Sequence, residues 1–266
     1  MKIGFIGLGN MATAMIQGML EKGVITPENI IGSARTQKTI DEVREKYQIA
    51  VTLNNREVAE TADILFLAVK PGLFAQVIGD IKTAVKEDGL IVSIAAGRRL
   101  DYLYEAFGRK ELKIIRCMPN TPAFVGEGCT GVCAGEHVAE EELMKVLELL
   151  RSFGRADVVP ERLMDVVVGV SGSSPAYVFM FIEAMADAAV AAGMPRNQAY
   201  EFAAQSVYGS AKMVLETGKH PGELKDMVCS PGGTTIQAVK VLEEKGMRAA
   251  VMDAMEACIA RSKELS

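Results

Sequence analysis

The first twenty residues constrain this chain more than any other stretch. Ile3, Phe5 and Ile6 lie in a short apolar run that reads as a buried strand. Gly7-x-Gly9-x-x-Ala12 follows at once, and Met11, Met15, Ile16 and Met19 then recur at helical spacing. Strand, glycine turn and helix in that order make a dinucleotide-binding unit, the opening of an α/β sheet. Gly7 permits the tight turn, Gly9 lets backbone approach a pyrophosphate, and Ala12, in place of a third glycine, keeps the helix close to the sheet. The helix N-terminus then offers free N–H groups and the positive end of its dipole to the phosphates. Gly7, Leu8, Gly9, Asn10 and Met11 are therefore the first expected cofactor contacts.

The 266 residues suffice for two modest domains with a real core. A net charge of −5 without basic clusters argues against a nucleic-acid partner. The absence of any segment ahead of the first strand predicts a chain without a signal peptide. Cys117, Cys129, Cys133, Cys229 and Cys258 show no framework spacing and predict a reduced, cytoplasmic protein. Cys129-x-x-x-Cys133 has only His137 and His220 to complement it, so no metal site is expected. The most apolar run, Tyr177 to Met194, includes Glu183 and Asp187, which are costly in lipid. It reads as a helix buried in protein at a subunit interface rather than as a membrane span.

A second strand, Ile30 to Ser33, leads into Ser33-Ala34-Arg35-Thr36 with no acid at its tip. A ribose hydroxyl usually meets Asp or Glu there, whereas a 2′-phosphate favours Arg. Ser33, Arg35 and Thr36 thus point to NADPH, with NADH possible. Asn54-Asn55-Arg56-Glu57 opens a helix capped by asparagine. Ile64 to Val69 is a continuous apolar run, the mark of a central parallel strand, and leaves through Lys70-Pro71-Gly72. Leu90 to Ile94 repeats the pattern and ends in Ala95-Ala96-Gly97, small residues beside which a nicotinamide fits; Lys113 to Cys117 ends in Met118-Pro-Asn-Thr-Pro122. Further strands over Cys129 to Ala134 and Ala156 to Val159 flank a helix from Glu140 to Phe153. The alternation stops at Pro160. Beyond it the chain reads as helices over 161–170, 176–192, 196–217, 221–228, 235–245 and 247–263, with Gly193, Gly218 and Gly246 as helix ends. The expected division is an α/β nucleotide-binding domain over 1–159 and an all-α domain over 160–266.

Two loops in the helical half stand out. Ser171-Gly-Ser-Ser-Pro175 precedes the long apolar helix, and Cys229-Ser-Pro-Gly-Gly-Thr-Thr235 precedes another. The second sets two glycines and two hydroxyls at a helix N-terminus, either an anion pocket of backbone amides or an ordinary capped helix start.

Gly7-Leu-Gly-Asn-Met-Ala12, Ala68-Val-Lys-Pro71, Met118 to Pro122, Gly172-Ser-Ser-Pro-Ala-Tyr177, and Lys225-Asp226 through Ser230-Pro-Gly-Gly-Thr-Thr235 together resemble pyrroline-5-carboxylate reductase, in the right order over essentially the whole chain. The resemblance implies a Rossmann NAD(P)-binding domain over 1–159 and a helical dimerisation and substrate-binding domain over 160–266. It implies a homodimer, often assembled into a ring, and reduction of 1-pyrroline-5-carboxylate to L-proline by NAD(P)H, the last step of proline biosynthesis. By position it places Asn55, Ala68, Val69, Lys70 and Pro71 against the cofactor. Ser230, Gly233, Thr234 and Thr235 fall at the substrate. The chain departs from the family at Ser174, where glycine is common, and at Thr234, often alanine.

The chemistry agrees with the resemblance. A ketone receiving hydride leaves an alkoxide that needs a proton, commonly from His, Lys or Tyr. Neither His137 nor His220 lies in a catalytic motif. A cyclic imine is protonated beforehand and accepts hydride without a strong acid, with Thr235 donating to or orienting its nitrogen. A β-hydroxyacid dehydrogenase begins with a similar Gly-Phe-Ile-Gly-Leu-Gly, but needs a lysine that Ala176-Tyr-Val-Phe-Met-Phe-Ile182 does not carry. A non-catalytic NADP-binding protein would be expected to lose the Ser230–Thr235 loop, which is intact.

Overall fold

A computed structural model describes residues Met1 to Leu265. It divides into two compact units, Met1–Ser173 together with the stretch from Cys258 onward, and Ser174–Ala257.

The first unit is built on one eight-stranded sheet. Its strands are β1 (Ile3–Ile6), β2 (Ile30–Ser33), β3 (Ala50–Thr52), β4 (Ile64–Leu67), β5 (Leu90–Ser93), β6 (Lys113–Met118), β7 (Gly128–Ala134) and β8 (Gly154–Val158), in the spatial order β3-β2-β1-β4-β5-β6-β7-β8. From β3 to β6 every pairing is parallel. β7 then runs antiparallel to β6, and β8 parallel to β7. The sequence did not disclose that reversal. A parallel return needs a crossover of about a dozen residues or more, and residues 119–127 hold only a 3-10 turn, Thr121–Val125.

Six helices cover the sheet: α1 (Asn10–Glu21), α2 (Gln37–Tyr47), α3 (Asn55–Thr61), α4 (Phe74–Ile81), α5 (Leu100–Phe107) and α6 (Glu140–Arg151). Strand alternation sends Ile3 and Phe5 to one face, where they meet Met15, Ile16 and Met19 of α1, Ile40 of α2 and Leu150 of α6. Ile6, Leu65 and Leu67 face the other way, against Val58 of α3, Ile78 of α4 and Leu103 of α5. Phe5 and Phe66, directly opposite in register, stack with ring centroids 4.7 Å apart. Truncating such a buried ring costs about 3–5 kcal/mol. Burial pushes the thiols of Cys117 and Cys133 up from their ordinary range, so these cysteines serve as neutral core residues.

After β8 the chain turns helical. The single helix expected over 161–170 is instead a 3-10 turn (Glu161–Leu163), a short α7 (Met164–Val167) and a π-turn (Val168–Gly172). The wide turn closes with Ser173 N–H on the Val168 carbonyl at 2.8 Å, and the Ser171 hydroxyl donates to the Val167 carbonyl at 3.1 Å. A serine hydroxyl that engages a backbone carbonyl competes with the regular helical ladder.

The second unit contains α8 (Ser174–Ala191), α9 (Arg196–Thr217), α10 (Pro221–Val228), α11 (Thr234–Glu244) and most of α12 (Met247–Glu264). Gly193, Gly218 and Gly246 adopt φ of +100°, +63° and +72° at helix ends, as their spacing predicts. α8 keeps an apolar face in the open: Phe179 is 62% and Met180 69% exposed. The run Glu161–Ala191 is long and apolar enough to cross a membrane by length and composition alone.

Asn120, in the exit from β6, joins three segments of the first unit. Its Nδ2 donates to the Ser171 carbonyl at 2.9 Å, and its Oδ1 accepts from Cys129 N–H at 2.8 Å. Asn120→Leu preserves volume but strands the partners of a buried side chain, and urea unfolding is expected to show a loss of about 1–3 kcal/mol. A loss below about 0.5 kcal/mol, the range of ordinary surface changes, would mean that Asn120 pins nothing.

Candidate active site

Gly7 has φ +95°, and its N–H donates to the Ser33 carbonyl at 3.0 Å. A Cβ there would sit 2.7 Å from the Ala68 carbonyl oxygen, so the protein itself demands glycine. Gly9 is different: a Cβ built on it meets no protein atom within 4 Å. Its bareness serves what approaches from outside. Gly9 also caps α1 without a side-chain hydrogen bond, and the first turn of α1 carries no acid. The amides of Asn10, Met11 and Ala12 therefore keep their donors and the dipole its charge. That donor set fits a pyrophosphate.

Next to this turn lies a cleft of about 420 Å³ within the first unit. It brings together Gly7, Leu8, Gly9, Ser33, Arg35, Thr36, Asn55, Ala68, Val69 and Lys70. Asn10, Met11, Pro71, Ala95 and Ala96 are not among its lining residues. Met11 packs partly into the core and Ala95 is buried, so neither side chain is presented, while the side chains of Asn10 and Ala96 are exposed; the backbone of Asn10 and Met11 nonetheless follows directly on Gly9, which does line the cleft. The cleft also gains Ala34, Thr39, Leu73, Gln76, Val77 and Asp80, which sequence reasoning missed. Leu73, Gln76, Val77 and Asp80 fall at i, i+3, i+4 and i+7, one face of a helix. That spacing was visible, but it reads equally well as a core stripe.

Ser33 is 0% exposed, and its hydroxyl donates to Asn55 Oδ1 at 2.7 Å. That hydroxyl orients Asn55, leaving the Asn55 Nδ2 as the group with hydrogens to give, while Ser33 itself still lines the cleft. Thr36 caps α2, accepting from Thr39 N–H at 3.3 Å, and its Oγ1 lies 2.9 Å from the Thr39 hydroxyl. Arg35 is exposed at the cleft, immediately before that helix start.

In the second unit, Ser230 to Gly233 forms a turn closed by Gly233 N–H on the Ser230 carbonyl at 3.0 Å. Pro231 in its second position and Gly232 at φ +70° in its third make it type II. A Cβ on Gly233 would lie 2.3 Å from Ser230 Oγ. Since the Gly233 amide closes the turn, the amides without an intrahelical acceptor are those of Thr234, Thr235 and Ile236, the first turn of α11. That turn has neither a side-chain cap nor an acid. Thr235 is half-buried and Thr234 exposed, and the Thr235 hydroxyl makes no hydrogen bond among the described residues. His220 Nδ1 accepts from Gly222 N–H at 3.1 Å as the cap of α10, and His137 lies 3.3 Å from Glu136.

Comparison with known proteins gives two family models. Residues 161–265 match the pyrroline-5-carboxylate reductase dimerisation family. Residues 2–97 match the NADP oxidoreductase, coenzyme F420-dependent family. The pyrroline-5-carboxylate reductase of Escherichia coli (strain K12) is 55% identical over 265 residues, covering 100% of this chain and 98% of its own. Among solved structures, a pyrroline-5-carboxylate reductase from Coxiella burnetii superposes with a TM-score of 0.93 at 36% identity, over 100% of this chain and 98% of that one. The Plasmodium falciparum pyrroline carboxylate reductase, solved with NADP bound, gives 0.90 at 33% identity, over 99% and 97%.

Arg35 is the cationic side chain at the ribose end of the cleft expected to tell NADPH from NADH. Arg35→Ala is expected to weaken NADPH much more than NADH, by about 1.5–3 kcal/mol for a hydrogen bond to a charged group. Equal losses in titrations of the two cofactors would reduce Arg35 to a surface residue.

Proposed function

This chain belongs to the pyrroline-5-carboxylate reductase family, and we propose how its residues carry out that reaction. The enzyme reduces 1-pyrroline-5-carboxylate, a cyclic imine, to proline, with NADPH as donor and NADH possible. The observation that carries the residue assignment is the pair of glycine-capped helix starts, α1 and α11, whose first turns have neither a side-chain cap nor an acid.

The bound dinucleotide supplies the hydride, which goes to the imine carbon. At the cleft of the first unit, the amides of Asn10, Met11 and Ala12 hold the pyrophosphate, Asn55 and Lys70 add donors from its walls, and Arg35 with Thr36 meets the 2′-phosphate. At α11, the amides of Thr234, Thr235 and Ile236 grip the substrate carboxylate, with Ser230 and Gly233 shaping the turn before them. Thr235 is the catalytic residue: its hydroxyl orients the imine nitrogen and keeps that nitrogen's proton in place. Because the imine is already protonated, no histidine is required, and catalysis is mainly placement.

The division of labour follows the chain, with a Rossmann domain over 1–159 and a helical domain over 160–266. The open apolar face of α8, with Val178, Phe179 and Met180, is covered by a second copy in a homodimer, and dimers assemble further. Glu183 and Asp187 on the same helix argue against lipid as the cover. The protein works in the cytoplasm, without nucleic acid. Light scattering at micromolar concentration should report a dimer or a multiple of one; a stable, active monomer would overturn this assembly.

Oxidation of NADPH on adding 1-pyrroline-5-carboxylate is the direct assay. Thr235→Val removes one hydroxyl with little change of volume and leaves the amides standing. Its kcat/KM should fall by one to three decades, about 1.4–4 kcal/mol, with NADPH affinity nearly unchanged. Bare 1-pyrroline, lacking the carboxylate, should be a poor substrate of the native enzyme. Normal turnover by Thr235→Val would remove Thr235 from the mechanism, and equal turnover of 1-pyrroline would remove the anion pocket.

A further inference from the structure

The loop that leaves β5 is anchored more firmly than a cofactor-lining loop requires. Gly97 has φ +68°, and a Cβ there would lie 2.7 Å from the Leu265 carbonyl oxygen, so backbone packs directly on backbone. On the far side of Arg98, Leu100 N–H donates to Glu161 Oε1 at 2.8 Å. The same oxygen meets Arg116 Nη1 at 3.3 Å, in a pair whose arginine is 3% exposed. Arg98 stands between these two fixed points.

From there its Nη2 donates to the Pro71 carbonyl at 3.3 Å, and its guanidinium carbon lies 4.6 Å from the Tyr102 ring centroid. Its Nε is buried without an acceptor among the described residues. An unmet buried donor costs free energy that a freely moving surface arginine avoids. The side chain is therefore held, with the ring beneath it contributing a cation–π attraction.

Pro71 begins the turn at the exit of β4. Inside it, Leu73 N–H donates to the Lys70 carbonyl at 2.9 Å, and Pro71 has no N–H to give. Among the described residues, the Arg98 bond is the one hydrogen bond tying the Lys70–Leu73 turn to another part of the fold. Yet this turn sets Lys70 and Leu73 on the cleft and starts α4, whose Gln76, Val77 and Asp80 form one of its walls.

We propose that Arg98, which does not itself line the cleft, is a positioning residue that latches the β4 exit to the rigid β5 exit and holds the α4 wall ready for NADPH. This rests on reading the cleft as the NADPH site. The latch acts before substrate arrives, so its signature is in cofactor affinity rather than in turnover.

The test uses full-length Arg98→Met, Arg98→Lys and Lys70→Ala. Readouts are NADPH titration by nicotinamide fluorescence without substrate, steady-state kinetics, and thermal unfolding without ligand. Arg98→Met keeps the length but loses donor and charge. Its NADPH Kd and KM should rise about five- to fifty-fold, the span of a partly exposed charge-assisted bond. Its kcat at saturating NADPH and its KM for the imine should stay within about twofold, and its unliganded Tm within about 2 °C. Arg98→Lys, which still reaches the Pro71 carbonyl and the Tyr102 face, should recover most of the affinity. Native NADPH affinity in Arg98→Met, with Lys70→Ala weakened, would overturn the latch and leave the cleft reading standing. Native affinity in both variants would overturn both. A loss in Arg98→Met matched by a lowered Tm and not recovered in Arg98→Lys would make Arg98 merely structural and also overturn the proposal.

Discussion

The backbone N–H groups at the start of a helix have no partner within it, and much in this chain turns on how that debt is settled. α2, α3 and α10 settle it internally, through Thr36, Asn54 and the unusual His220 cap. α1 and α11 begin instead at Gly9 and Gly233, which have no side chain to offer, and neither first turn contains an acid. A Ser or Asp at either cap would add only a few tenths of a kcal/mol of helix stability over glycine, and it would also fill the place of an anionic ligand. On the proposed assignment, the stability forgone at these two helices is what allows pyrophosphate and carboxylate to bind.

Those two helix starts were legible because their signals are local. Gly7-x-Gly9-x-x-Ala12 between an apolar run and a helical stripe, and Ser230-Pro-Gly-Gly before Thr234, describe backbone shape within a few residues. Strand positions in the sheet were equally readable, since Ile64 to Leu67 and Leu90 to Ser93 are continuous apolar runs. What escaped depends on partners far away in sequence. The Ser33 hydroxyl looked available until Asn55, twenty-two positions on, was found to hold it. Nor does the sequence reveal that the Gly233 amide is taken up by the Ser230 carbonyl across the turn. The α4 wall of the cleft shares the spacing of a core stripe, and periodicity alone cannot tell a face against protein from one against a ligand. The antiparallel β7 was hidden because its cue is the shortness of a connection, not the composition of a strand.

The passage from sheet to helices also shows why a boundary in pattern and a boundary in contacts differ. Secondary-structure alternation ends at Pro160, yet the residues just beyond remain tied to the sheet unit. Glu161 pairs with buried Arg116 of β6 and accepts from the start of α5. Asp165 accepts from Ser262 at 2.6 Å, and Cys258 donates to Ser173 Oγ at 3.2 Å, so the C-terminal end of the chain returns to the same unit. A buried ion pair is weak evidence of net stability, but removing one partner strands the other at a cost of about 3–5 kcal/mol. Arg116 and Glu161 therefore fix the geometry of three elements together, including the loop from which Arg98 reaches Pro71.

The economy of the chemistry follows from the substrate as much as from the protein. Hydride delivery to a ketone builds negative charge on oxygen, and an enzyme must meet it with an acid of matched strength. A protonated cyclic imine brings its positive charge with it and loses that charge in the step, so the burden on the protein shifts from proton supply to position. The side chains here suit that lighter task. His220 is spent as a helix cap, and in the proposed mechanism the Thr235 hydroxyl need only orient an N–H already in place. On the proposed assignment, a scaffold that spends His220 on a helix cap and leaves bare helix starts for anions reduces such an imine by alignment, whereas a ketone held in the same way would lack its proton.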